Sequence, residues 1–366
     1  MKGSISLVLG TRPQIIKSAP IIQQMLKQGL DIKIIHTGQH YDYSLSKIFF
    51  EETGLPEPYA NLEVGSGSHA YQTGEMILRL EKVLMNLKPS IVVVPGDTNS
   101  ALAGALVAVK MGIKVAHVES GARSYDMTMP EEINRRVVDH ISMFLFSVSE
   151  LCSKNLEREA VMGRVYLTGD TMFDSFLMYM PTASKSKVIE ENDISRDYAV
   201  LTLHRAENTD NPERLKNIME AIILLNDVNI VFPVHPRTLD RLSSFNILKR
   251  LEHSEHVKLL KPLGYYDMLK LMSEARLILT DSGGVQKEAF WLKVPCITLR
   301  ENTEWMETVK LGANFLVGHD TNRIVSKAKM LLSDSYVKDR IKRLPNPYGC
   351  GKAADKIVKF LLEYLD

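Results

Sequence analysis

The chain has 366 residues, 45% of them hydrophobic and 24% charged, with a formal net charge of +1. That composition and length fit a globular protein of two domains. The balanced charge excludes the clustered basic excess of a general nucleic-acid or anionic-membrane binder, so any hold on an anion must be local.

Taken in chain order, residues 4–9 read as a strand, 14–28 as a helix and 31–36 as a strand. A helix over 71–88, a buried strand at 91–94, a helix over 99–111, a strand at 114–118, a helix over 131–141 and a strand at 143–148 follow. Near-continuous apolar strands separated by amphipathic helices predict a parallel sheet covered on both faces. Residues 178–196 read as polar and irregular. The alternation then resumes with strand 198–203, helix 212–226, strand 229–234, helix 266–274, strand 276–280, helix 284–292, strand 295–299 and helix 321–333. The last stretch, 351–364, reads as an amphipathic helix. The fold class is α/β, with a first domain over 1–172 and a second over 173–350. Two doubly wound domains joined in this way imply an interdomain cleft at the carboxyl ends of their strands.

The N-terminal apolar run is too short for a signal peptide, and no stretch approaches the ~20 apolar residues that span a bilayer. Three separated cysteines, Cys152, Cys296 and Cys350, lack C-x-x-C spacing and fit a reducing, cytoplasmic setting. No G-x-G-x-x-G follows the first strand and no P-loop motif occurs, which argues against a dinucleotide dehydrogenase and a P-loop NTPase. His36 and His40, and His253 and His256, have suggestive spacing but not the H-E-x-x-H form, so no metal is expected.

The chemistry-bearing residues fall just after the strands, where open α/β sheets carry their sites. Asp281-Ser282-Gly283-Gly284 precedes a helix, and backbone N–H groups at such a start form an anion site, with glycines admitting the ligand. Glu288, further into that helix, suits a ribose hydroxyl. The competing reading is an ordinary Asp or Ser helix cap. Arg12, in Gly10-Thr11-Arg12-Pro13, offers a bidentate phosphate clamp, with Lys17 about one turn later. Asp97, Glu119 and the pair Glu131-Glu132 gather acidic groups near three strand ends of one domain. Such crowding raises carboxyl pKa values and suits acid/base chemistry. The competing reading is capping by Asp97 and dipole stabilisation by the two glutamates. His204 and His235, each beside an arginine (Arg205 and Arg237), close strands of the second domain and are candidates for acid/base or phosphate contact.

Nine motifs in order carry a family resemblance. They are Gly-Thr-Arg-Pro-Gln at 10–14, Gly-Gln-His at 38–40, Gly-Asp-Thr at 96–98, His-Val-Glu-Ser-Gly-Ala-Arg at 117–123, Pro-Glu-Glu-Ile-Asn-Arg at 130–135, Thr-Leu-His-Arg-Ala-Glu-Asn at 202–208, Pro-Val-His-Pro at 233–236, Asp-Ser-Gly-Gly-Val-Gln-Lys-Glu at 281–288 and Asn-Pro-Tyr-Gly at 346–349. Together they resemble the non-hydrolysing UDP-N-acetylglucosamine 2-epimerases over essentially the whole chain. The resemblance implies a GT-B architecture of two Rossmann-like domains, with the last helix (351–366) packing back on the first. It implies interconversion of UDP-N-acetylglucosamine and UDP-N-acetylmannosamine through a bound 2-acetamidoglucal, with no cofactor and no metal, in a homodimer. It places the acid/base groups on Asp97, Glu119, Glu131 and His204, and the UDP-sugar contacts on Arg12, Lys17, Arg205, His235, Ser282, Gly283, Gly284 and Glu288.

Three positions depart from the family pattern. Gln14 stands where many members have Glu, Trp305 where many have Arg, and Tyr41 where members regulated by their own substrate have Arg. The first two variants are similar to relatives acting on UDP-2,3-diacetamido-2,3-dideoxyglucuronate, so that substrate is an alternative. A hydrolysing epimerase, a GT-B glycosyltransferase and an inactive UDP-sugar sensor are further alternatives. The filled catalytic positions speak against the last, and the Glu119 and Pro130-Glu131-Glu132 motifs against the glycosyltransferase.

Overall fold

Runs of aliphatic, often β-branched residues form the strands, and helices cover them on both sides, because a strand buried on both faces needs apolar side chains in both directions. The computed structural model describes residues 3–39, 50 and 54–365. It has two compact units, Met1–Met178 with Pro347–Asp366, and Tyr179–Asn346.

The first unit holds β1 (Ile5–Leu9), α1 (Arg12–Lys27), β2 (Ile32–His36), β3 (Ala60–Asn61), α2 (His69–Leu87), β4 (Ile91–Pro95), α3 (Asn99–Lys110), β5 (Lys114–Ser120), α4 (Pro130–Ile141), β6 (Phe144–Ser147), α5 (Glu150–Arg158), β7 (Arg164–Leu167) and the start of α6 (Thr171–Ala183). Its strands run parallel in the order β3-β2-β1-β4-β5-β6-β7. Val8, Val92 and Val94 pack in one core with Met76, Leu80 and Leu84 of α2, Ala101, Ala105 and Ala108 of α3 and Val138 of α4. Each such side chain contributes about 1.5–3 kcal/mol for leaving water, the alanines less. A Cβ on Gly104 would lie 3.0–3.2 Å from Val94 and Val8, so this glycine lets α3 settle close on the sheet.

The second unit holds α7 (Val188–Glu191), β8 (Tyr198–Thr202), α8 (Ala206–Thr209), α9 (Pro212–Leu224), β9 (Asn229–Pro233), α10 (Pro236–Ser244), α11 (Leu248–Glu252), β10 (Val257–Leu260), α12 (Tyr265–Glu274), β11 (Leu277–Thr280), α13 (Gly283–Leu292), β12 (Cys296–Thr298), α14 (Met306–Lys310), β13 (Asn314–Leu316), α15 (Thr321–Ser333) and α16 (Val337–Lys342). The strands are again parallel, in the order β10-β9-β8-β11-β12-β13. The chain then returns to the first unit with α17 (Ala353–Leu365). There Phe360 lies 4.1 Å from Tyr166 and Tyr364 4.9 Å from Phe144, ring centre to ring centre, covering the edge of β6 and β7.

Both sheets reverse their winding once, between β1 and β4 and between β8 and β11. Ligands of open α/β sheets bind at such switch points. The stretch expected to be irregular, 178–196, instead contains the end of α6 and all of α7. Buried Phe176 and Tyr179 hold α6 past its polar sequence, and Pro181, which lacks an N–H for the i−4 carbonyl, comes two residues before its end. Among the described residues no helix is long and apolar enough to cross a membrane. Cys152 and Cys296 are buried, one in each unit, and Cys350 is exposed.

Candidate active site

In the first unit, the turn after β1 is locked from inside. Gln14 is buried; its Oε1 accepts from the Gly10 N–H (2.9 Å) and its Nε2 donates to the Pro95 carbonyl (2.8 Å). The side chain thus bridges the switch point, and an amide does so where a carboxylate could not donate. The space a Cβ would need on Gly10 is filled by the Ser100 and Thr37 hydroxyls, which bond each other at 2.8 Å. Arg12 is half-buried at the first turn of α1.

Lys17, one turn into α1, is engaged inside the first unit. Its Nζ makes an ion pair with Glu119 Oε2, with only 13% and 8% of the two side chains exposed. Glu119 sits in a register shift of β5 between Val118 and Ser120, with φ at 72°. The left-handed conformation costs a non-glycine residue about 1–3 kcal/mol and persists only where the surroundings enforce it. Its carboxylate lies against the turn after β4: a Cβ on Gly96 would be 3.3 Å from Glu119 Oε2 and 3.3 Å from Lys17 Nζ.

Asp97 does not cap the helix that follows it; Thr98 does, accepting from the Ala101 N–H at 3.3 Å. Asp97 Oδ2 accepts two hydrogen bonds from Arg135 (3.0 and 2.7 Å), and its carbonyl accepts from Asn134 Nδ2 (2.9 Å). Glu131 is half-buried in the first turn of α4. Its neighbour Glu132 is the internal one, accepting from Ser124 N–H (2.9 Å) and from Arg135 (2.8 Å). Asp97, Glu119 and the start of α4 are therefore drawn together around Lys17 and Arg135. Sequence reasoning located the carboxylates but not Arg135. The signal available was the spacing of Glu132, Arg135 and Asp139, which puts charged side chains on the buried face of an amphipathic helix.

In the second unit, His204 and Arg205 follow β8, and Asp281 follows β11. Asp281 is fully buried and accepts from the backbone N–H of His204 (3.1 and 3.2 Å) and of Arg205 (2.9 Å), with His204 Nδ1 3.4 Å from its Oδ1. Asp281 is thus the clamp of the histidine turn. Desolvation pulls the His204 imidazole below its ordinary pKa, Asp281 opposes, and Arg205, His235 and Arg300 add to the lowering. His235 is also lowered, by desolvation and then by Arg237. Its Nδ1 caps α10, accepting from the Arg237 N–H at 3.3 Å, and its ring centre is 6.2 Å from that of His204. The Arg237 guanidinium is turned away to Asp210.

Ser282 occupies the cap position of α13 without a side-chain cap bond, so the first turn offers its N–H groups without that internal partner. Gly283 has an internal reason to be glycine: a Cβ there would meet Glu304 Oε1 at 2.2 Å and Trp305 Nε1 at 2.9 Å. Gly284 is half-buried, Glu288 is buried further along α13, and Trp305 is buried with Lys287 Nζ 3.7 Å from its ring centre. Of the Gly38-Gln39-His40-Tyr41 stretch, Gln39 accepts from Ser100 Oγ at 2.7 Å, while His40 and Tyr41 lie outside the described residues. Among the described residues no group of three or more His, Cys, Asp or Glu side chains is placed to hold a metal ion.

Residues 24–362 match the UDP-N-acetylglucosamine 2-epimerase family. The chain belongs to that family. It is 49% identical to the UDP-N-acetylglucosamine 2-epimerase of Methanocaldococcus jannaschii over 98% of both chains. It is 40% identical to the UDP-2,3-diacetamido-2,3-dideoxy-D-glucuronate 2-epimerase of Pseudomonas aeruginosa, over 98% of this chain and 99% of that one. A crystal structure of the M. jannaschii enzyme in complex with UDP-GlcNAc and UDP superposes with a TM-score of 0.92, over 98% of this chain and 99% of that one. The two parallel sheets are those of the GT-B class, as the motifs imply.

Proposed function

We propose that the protein is an isomerase that inverts C2 of UDP-N-acetylglucosamine to give UDP-N-acetylmannosamine, and the reverse. The observation that carries this reading is the gathering of Asp97, Glu119 and the first turn of α4, in a chain 49% identical to an epimerase of that name. A base of the first unit takes the C2 proton, and the electron pair left on C2 forms the C1–C2 double bond as the C1–O bond to UDP breaks. The 2-acetamidoglucal then receives a proton on the opposite face of C2, and UDP adds back to C1. Carboxylates balanced by Lys17 and Arg135 suit both proton transfers. The second unit supplies the UDP grip through Arg205, His235, the Ser282-Gly283-Gly284 helix start and Glu288, with Arg12 contributing from the first. His204, steadied by Asp281, serves the leaving and returning phosphate. Incubation with UDP-N-acetylglucosamine in D₂O should place deuterium at C2 of both epimers; folded protein that gives neither exchange nor the manno product would sink the proposal.

A second reading keeps the reaction and changes the sugar to the diacetamido uronate, favoured by the 40% identity to the P. aeruginosa enzyme. Gln14 does not speak for it, since both its amide atoms are used inside the first unit. Trp305, packed against Gly283, is the variant residue to weigh. Rates measured side by side on the two UDP sugars decide between them.

A further inference from the structure

Behind the carboxylates of the first unit lies a buried ionic cluster that the proposed chemistry does not use. We propose that the His117–Asp139 pair is a positioning unit that fixes the three segments bearing Asp97, Glu119 and Glu131. This rests on the reading of those carboxylates as the acid/base groups.

His117 and Asp139 are both fully buried. His117 Nδ1 is 2.6 Å from Asp139 Oδ1, and its Nε2 is 2.8 Å from the Gly96 carbonyl, the residue before Asp97. Asp139 Oδ2 accepts from the N–H of Gly121, two residues after Glu119, at 3.1 Å, and from Arg123 at 2.7 Å. Asp139 itself projects from α4, whose first turn carries Glu131. One side-chain pair is thus bonded to the β4 turn, to the β5 bulge and to α4.

The donor and acceptor count fixes the charge of the ring. A carbonyl only accepts. Asp139 takes the Gly121 N–H and the Arg123 guanidinium as donors through Oδ2, as a carboxylate does, so it too only accepts. Both His117 nitrogens therefore donate, and the ring is an imidazolium. Arg123 bonds Glu159 through Nε (2.9 Å) and Nη2 (2.7 Å), and Glu159 also pairs with Arg136 at 3.3 Å, so each charge in the cluster faces an opposite one. Burying such a cluster is costly, and apolar packing of the same volume would serve stability as well. What apolar packing could not supply is a directed bond to each of three segments, two of which hold left-handed backbone at Gly96 (φ 70°), Glu119 (φ 72°) and Gly121 (φ 81°).

The experiment has two parts. In protein labelled with ¹⁵N-histidine at neutral pH, the His117 ring, assigned by its loss in His117→Gln, should show two protonated nitrogens; one protonated and one bare nitrogen overturns the charge assignment and the bridge with it. In parallel, His117→Gln keeps one N–H donor but turns a carbonyl oxygen toward the other acceptor, and Asp139→Asn keeps an acceptor for Gly121 but loses the charge. Each should lower kcat at least ~10²-fold, the scale of a 1 Å misplacement. KM and the Kd for UDP should stay within about 3-fold of the wild type. A kcat close to wild type, or kcat, UDP affinity and melting temperature all falling together, overturns positioning. Should Asp139→Asn not fold, His117→Gln and the ring nitrogens decide. Wild-type protein that exchanges no C2 proton on either UDP sugar counts against the epimerase reading alone, because the ring measurement needs no turnover.

Discussion

Glu119 is a glutamate in a conformation that glycine would adopt at no cost, and it is ion-paired inside the molecule. A residue held so against its own preference has a side chain that matters more than its backbone. Glu119→Gln keeps size and hydrogen bonding but cannot carry a proton, and it should lower turnover at least ~10²-fold, the scale of acid/base removal. His204→Ala should do the same; near-normal rates for both would take them out of the mechanism. Lys17 offers a sharper contrast. If it serves Glu119, as the ion pair indicates, Lys17→Ala should depress kcat at least ~10-fold and leave the Kd for UDP within about 3-fold. A large rise in that Kd with kcat intact would return Lys17 to the phosphate grip. The competing capping role for Asp97 falls away for a comparable reason: Thr98 holds the cap, and Asp97 is left to Arg135.

At the scale of elements, the bulge of β5 rests on Gly121. Its φ is 81°, and a Cβ would come 2.3 Å from the Cys152 carbonyl, a backbone atom that cannot swing away. Gly121→Ala should therefore destabilise by at least ~2 kcal/mol in urea unfolding, combining the left-handed penalty with the clash; a change below ~0.5 kcal/mol would show that the bulge is not rigid. The strands bearing the site were legible because β1, β4, β8 and β11 are short, largely aliphatic runs followed within two residues by Gly, His or Asp. β7 was not, since most of its residues are exposed and it is covered by α17 from the far end of the chain. β10 and β13, together with α5, α10, α11 and α14, escaped as short elements whose burial depends on neighbours rather than on their own periodicity. The carboxylates and histidines could be found from position alone. Their pairings with Lys17, Arg135 and Asp281 could not, because a contact across 102, 38 or 77 residues is a tertiary fact that the local sequence does not state. The same holds for Gly283, whose missing side chain makes room for Glu304 and Trp305 as well as for any ligand.

At the scale of the whole molecule, the return of the chain to its first unit is secured by a carboxylate. Asp174 of α6 accepts from the Ala354 N–H at 2.8 Å, at the start of α17, while its Oδ1 is buried without a hydrogen-bond partner. Burial raises its pKa to about 6, against the lowering by the Ala354 and Ala353 amides. The folded state thus binds this proton more tightly than the unfolded chain, so its contribution to stability falls as pH rises from about 4 to about 6 and is flat above. Asp174→Asn should remove that slope, gaining on the wild type by about 2 kcal/mol across the window in urea unfolding; a difference that does not vary with pH would contradict it. The cysteines extend the view to both units. Cys152 lies in the first and Cys296 in the second, each sealed, and burial pushes the Cys296 thiol up to about 12, where it is inert to alkylation. Cys350 alone is open to reagent. The chain therefore carries its own pair of chemical clocks: after Cys350 is blocked, the rate at which each remaining thiol takes up a mass tag in denaturant, read peptide by peptide, times the opening of one half independently of the other, with no label introduced by mutation.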